Sequence, residues 1–104
     1  EELEAFLSDI HLNALTTFTQ TEPHLLIKEL QQVRKMAYAI DRQEYELGLT
    51  CVAVPVYNQD GELVAALSAA GPEMRFREDA LEEYVGMLNK GSNAIRQKIG
   101  KYKP

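Results

Sequence analysis

The sequence predicts an α+β fold. A Val- and Ala-rich hairpin occupies the middle of the chain, and apolar residues recur at spacings of three and four towards both ends. At 104 residues there is enough chain for one compact core and too little for two.

Leu3, Phe6, Leu7 and Ile10 stand at helical spacing behind an acidic first turn, which predicts a short amphipathic helix. Asn13 to Gln20 reads as loop. Thr21-Glu22-Pro23 then signals a helix start, because proline is tolerated where its missing N–H has no partner to lose. Leu26, Leu30, Val33 and Ala37 continue on one face, so this helix is expected to cover a core and to end near Met36. Tyr38 to Asp41 is a short strand candidate, followed by the polar run Arg42 to Gly48, in which Glu44 and Glu46 suit a solvated connection. From Glu78 onward Leu81, Tyr84, Val85, Leu88, Ile95 and Ile99 predict a long terminal helix, weakened by Gly86 and Gly91.

The hairpin carries the chemical content. Leu49 to Tyr57 and Glu62 to Ala70 are strands, Asn58-Gln59-Asp60-Gly61 has turn chemistry, and Gly71-Pro72 closes the second strand. A four-residue turn pairs Tyr57 with Glu62, which sets Cys51 opposite Ser68, Ala53 opposite Ala66 and Pro55 opposite Val64. Those six share one face, while Val52, Val54, Val56, Leu63, Ala65 and Leu67 form a bulkier face suited to packing under helices. The small side chains of the first face leave room above the sheet for a ligand, with a thiol and a hydroxyl as polar partners and Asp41 at the rim. A three-residue turn with a bulge would shift this register and move Cys51 away from Ser68. The bland reading is a core thiol among ordinary strand residues, since cysteine is among the most buried residue types.

Composition excludes several classes of function. A net charge of −5, with 16 acidic against 11 basic residues, repels a phosphate backbone, and the basic residues Lys98, Lys101 and Lys103 gather only in the tail. No stretch approaches the roughly 20 apolar residues of a membrane span. Cys51 is the only cysteine, so neither an intrachain disulfide nor a zinc site of several thiolates is possible, which fits a reducing cytoplasm. His24 reads as a solvated helix residue and His11 as a loop residue, and no metal or cofactor is implied. Cys51 as a nucleophile has no histidine within its strand region to activate it. The opening Glu1-Glu2-Leu3-Glu4, with neither an initiator Met nor a signal-peptide pattern, reads as the start of an excised piece.

Spaced matches along nearly the whole chain resemble the second half of the effector-binding domain of the IclR family of bacterial transcription regulators. They are Thr19-Gln20-Thr21-Glu22-Pro23, Leu30 to Arg34, Tyr38 to Asp41, then Glu44, Gly48, Cys51, Val52, Ala53, Pro55 and Val56. Asp60-Gly61, Ala65-Ala66-Leu67-Ser68, Gly71-Pro72, Arg75 and Ile99-Gly100 continue the order.

The resemblance implies a GAF-like antiparallel sheet with flanking helices, here as an incomplete domain over residues 1–104 that lacks upstream strands. It implies a non-enzymatic sensor of a small effector, an organic acid or a sugar- or aromatic-derived metabolite, acting as a homodimer or homotetramer. Operator DNA would be met only through a separate N-terminal winged helix-turn-helix domain. Effector contacts are expected at Asp41, Cys51 and Ser68, the same trio that strand pairing brings together. Two positions depart from the family pattern. Ala70 stands where some relatives carry a ligand-touching serine, and Ala37 stands where the family has glycine before the tyrosine. At a left-handed cap that alanine costs on the order of 1 kcal/mol. The rival readings are a structural or dimerisation module with a vestigial pocket, and a small enzyme using Cys51.

Overall fold

A computed structural model describes residues 2–77 and 79–104. Along the chain run α1 (Glu2–Ser8), α2 (Pro23–Met36), β1 (Ala39–Arg42), β2 (Leu49–Tyr57), β3 (Leu63–Pro72), a 3-10 turn (Glu73–Phe76) and α3 (Asp79–Ile99). The strands form an antiparallel sheet in the order β1-β2-β3. This is the expected α+β class.

Local chemistry explains the boundaries. The α2 helix opens with Pro23 in its first turn, and the Glu22 side chain accepts a hydrogen bond from the His24 N–H. Arg34 and Lys35 occupy its last turn, where cations complement the helix dipole. It stops at Ala37, whose φ of 62° is left-handed and whose N–H donates to the Val33 carbonyl at 2.8 Å. The strain expected of an alanine at this cap is therefore present.

The core lies on one side of the sheet. Thr50, Val52, Val54 and Val56 alternate as buried residues along β2, and Val52 and Val54 pack with Phe76 and Leu88. Leu67, Ala69, Leu81, Tyr84 and Val85 complete the cluster, so α3 is the lid over this face. Burying each valine contributes about 1.5–3 kcal/mol. Gly91 has a packing reason: a Cβ there would lie 2.9 Å from Leu67 Cδ2. The next residue, Ser92, donates to the Pro55 carbonyl at 2.7 Å, tying α3 to β2.

The hairpin turn is a second fixed point. Asn58 is fully buried: its Oδ1 accepts from the N–H groups of Asp60 and Glu62, and its Nδ2 donates to the Tyr102 carbonyl at 3.0 Å. Arg96 donates to the Asn58 carbonyl and the Gln59 N–H to that of Gly100, so the end of α3 and its tail clasp the turn.

Three expectations need correction. The register is Cys51 opposite Ala70, Ala53 opposite Ser68 and Pro55 opposite Ala66, because the turn pairs Tyr57 with Leu63 and a bulge follows between Val56 and Tyr57. Each offset is one residue; together they make two, which returns β3 from Ala65 onward to its expected faces. Only the residues at the bulge change: Leu63 is exposed, Val64 is the extra residue, and Ala69 and Ala70 join the two faces. Secondly, α2 buries none of its residues and leaves Leu30 37% exposed, because its main packing partner is the short α1 and not the sheet. Thirdly, Glu44 is not simply solvated. Its Oε1 accepts from the Gln20 N–H at 3.0 Å and its carbonyl accepts the Thr19 hydroxyl, so the loop of residues 13–20 is pinned to the β1–β2 connection.

Candidate functional site

The sheet face away from α3 carries the three predicted site residues. Asp41 on β1 lies directly opposite Cys51 on β2, and Cys51 lies directly opposite Ala70 on β3. One pleat along, Ala39, Ala53 and Ser68 form the next cross-strand row. Residues directly opposed across antiparallel strands project to one side, so Asp41, Cys51 and Ser68 share a face. Ser68 is diagonal to Cys51, one row away, whereas the expected register made them neighbours in one row.

Between these groups the floor is made of Ala39, Ala53 and Ala70, with nothing longer than a methyl group, and Pro55 and Ala66 form the row beyond Ser68. Asp41 and Cys51 are half-buried and Ser68 is exposed, so the polar groups are reachable from above. Grooves with volumes of about 550, 250 and 210 Å³ include none of the three side chains, although the second borders the Asp41 rim at Glu29 and Glu44. The first runs between α1 and α2 past Leu7, Pro23, His24 and Ile27. The trio thus forms an open floor. Ala70, in line with Asp41 and Cys51, is the place where a serine would add a second hydroxyl beside that of Ser68.

The rim at Asp41 is acidic. Asp41 Oδ1 accepts the Glu44 N–H at 2.9 Å, which folds the β1–β2 connection back over the strand end. Glu29 of α2 approaches the same place. Burial, then the charges of Glu44 and Asp41, push the Glu29 carboxyl above its ordinary range. A ligand reaching Asp41 is therefore favoured to offer hydroxyl or N–H donors there and to turn any negative charge towards Ser68 and Cys51.

Behind the site lies a second set of polar residues that no local sequence pattern marks. Arg42 and Thr50 form the neighbouring cross-strand pair and project to the opposite face. Arg42 Nη1 donates to Glu73 Oε1 at 2.7 Å, and the Thr50 hydroxyl donates to Glu73 Oε2. Arg42 Nη2 also reaches the Phe76 carbonyl at 2.9 Å. The Thr50 hydrogen bond and the Arg42 charge, against the cost of burial, hold the Glu73 carboxyl below its ordinary range. Arg42 and Glu73 are separated by 31 residues, and no local pattern links them.

A family pattern described as "Bacterial transcriptional regulator IclR C-terminal" matches residues 1–97. The chain belongs to this family. Over 100 residues it is 37% identical to the HTH-type transcriptional regulator KdgR of Escherichia coli, covering 96% of this chain and 38% of KdgR. It thus spans under two fifths of that relative's length. The Thermotoga maritima IclR structure superposes with a TM-score of 0.84 at 37% identity, over 95% of this chain and 40% of that one. The inducer-binding domain of the Acinetobacter transcription factor PobR, a double mutant solved with 3-hydroxybenzoic acid, superposes with a TM-score of 0.82 at 31% identity. That match covers 89% of this chain and 54% of the PobR chain. The IclR-type assignment thus rests on family pattern, sequence and fold alike.

Proposed function

We propose that this IclR-type chain senses a small metabolite over the Asp41, Cys51 and Ser68 face. The observation that carries the reading is their common placement: three polar side chains of different hydrogen-bonding character stand on one sheet face, separated only by alanines. Ser68 and Cys51 donate to a carboxylate or other polar head, and Asp41 accepts from ligand hydroxyls, which selects for small hydroxylated organic acids. A PobR domain of the same fold, solved with a hydroxylated aromatic acid, supports that chemical class.

In this reading the remaining pocket walls come from parts of the domain outside these 104 residues. The signal passes to a separate winged helix-turn-helix domain that alone touches operator DNA. The regulator works in the cytoplasm as a homodimer or homotetramer, and no reaction is assigned to the chain. Binding acts only through its difference in affinity for two arrangements of the assembled regulator.

Titration calorimetry of the intact domain against hydroxylated aliphatic and aromatic acids tests this. At least one acid is expected to bind, and Ser68→Ala and Asp41→Asn are each expected to weaken it by about tenfold, the loss of one ligand hydrogen bond. No heat with any acid, together with a stable oligomer, would replace the sensor with a dimerisation module. The exposed apolar residues of α2, Leu25, Leu30 and Met36, are the observation that favours that second reading.

A further inference from the structure

The floor of the candidate site and the anchor of α3 are built back to back on the same two strand ends. Asp41 and Cys51 form one cross-strand pair; Arg42 and Thr50 form the next, and consecutive pairs project to opposite faces. On the far face both Arg42 and Thr50 hold one carboxylate, that of Glu73, whose side chain is only 14% exposed. The Glu73 N–H in turn donates to the Gly48 carbonyl at 2.9 Å, and Arg42 holds the Phe76 carbonyl.

The grip continues into the core. Phe76 is buried and lies against Tyr84 of α3 with ring centroids 4.9 Å apart. Gly71, which pairs with Thr50, passes so close to the Phe76 ring that a Cβ there would approach it to 3.3 Å. The 3-10 turn is therefore fixed to the strand ends by polar bonds on one side and to α3 by an aromatic contact on the other.

We propose that Arg42, Thr50 and Glu73 are the coupling residues of the sensor, converting displacement of the Asp41/Cys51 pair into a changed seat for the 3-10 turn and the start of α3. The inference rests on the functional reading of that pair and adds how its occupancy is reported. A ligand that draws β1 and β2 together or apart at Asp41 and Cys51 must move the next pair with them, because the backbone joins them. The carboxylate then keeps both partners only if the turn follows. Losing one partner of a largely buried carboxylate is costly, so the response is a switch between seats and not a graded bend. By reciprocity, anything that alters the seat of Glu73 alters the floor.

A double-substitution cycle on the intact domain tests this without a ligand. Cys51→Met places a larger side chain on the open floor, and Glu73→Gln keeps the shape of the clamp while removing its charge. Amide hydrogen exchange at Phe76, Arg77 and residues 79–84 is the readout. Cys51→Met is expected to change protection there by about threefold or more in the parent chain and by less than about 1.5-fold in the Glu73→Gln background. Equal changes in both backgrounds, or a change confined to β1 and β2, would overturn the proposal. Should Glu73→Gln fail to fold, Arg42→Lys retains the charge but not the bond to Phe76, and the same cycle applies. A purely structural clamp would give additive effects, since the two sites lie on opposite faces. A failed acid panel with a coupled cycle would remove the sensor reading alone; a binding acid with an additive cycle would remove the clamp alone.

Discussion

The two halves of the molecule are built to different standards. Between β2, β3 and α3 the valines of β2, Phe76 and Leu88 are buried, and the hairpin turn is closed by a fully buried asparagine. Across α1 and α2 the periodic apolar pattern is just as strong in the sequence, yet Leu7 is the one buried residue described there. A stripe at helical spacing states that a helix has an apolar face. It does not state that these residues supply something to cover it. The candidate floor has packed core beneath it, while Asp41 at its edge belongs to a short strand approached by Glu29 of the loosely packed helix.

The largest difference should appear on truncating one apolar side chain in each half. Phe76→Ala is expected to lose about 3–5 kcal/mol and Leu30→Ala less than about 1 kcal/mol in urea unfolding, since only the first leaves a cavity. Comparable losses would mean that α2 is packed as tightly as α3. A smaller effect of opposite sign comes from Ala37→Gly, which should stabilise the α2 exit by about 1 kcal/mol because glycine adopts a φ of 62° without a Cβ clash. Hydrogen exchange of α2 amides would show it as slower opening; faster opening would mean that the alanine is not strained.

The finest contrast is in pH. Glu73 titrates below its ordinary range, so the folded state holds its proton less tightly than the unfolded chain. Its stabilising contribution is whole above the ordinary carboxylate range and is lost as pH falls through its lowered value. Glu29 titrates above its ordinary range, so its charge opposes folding at neutral pH, and that opposition is relieved as pH falls through the raised value. Exchange corrected for intrinsic rates should thus show protection near the 3-10 turn falling on acidification while that of α2 rises. The same sign in both would merge the two halves into one cooperative unit.

Most elements were legible because their signals are local. Pro23 fixes the start of α2, the αL cap falls on Ala37, and Val alternation marks β2 to within a residue. The site trio was legible only as a set of faces. The partner of Cys51 is chosen by a turn and a bulge inside the run Leu63-Val64-Ala65-Ala66, where one small apolar residue looks like the next and nothing marks the unpaired one. The Arg42–Glu73 clamp and the seat of Asn58 under the tail stayed hidden because each joins residues far apart in sequence, which no periodicity encodes.

The bulge between Val56 and Tyr57 gives the hairpin an odd-or-even arithmetic. Lengthening or shortening β3 by one residue between the turn and Ser68 would turn its hydroxyl to the α3 side and send Leu67 out into solvent. A change of two would keep both on their faces and move Ser68 into the neighbouring cross-strand row. Drift in hairpin length that keeps the floor intact must therefore come in pairs, and each pair offers Cys51 a new companion across the strand.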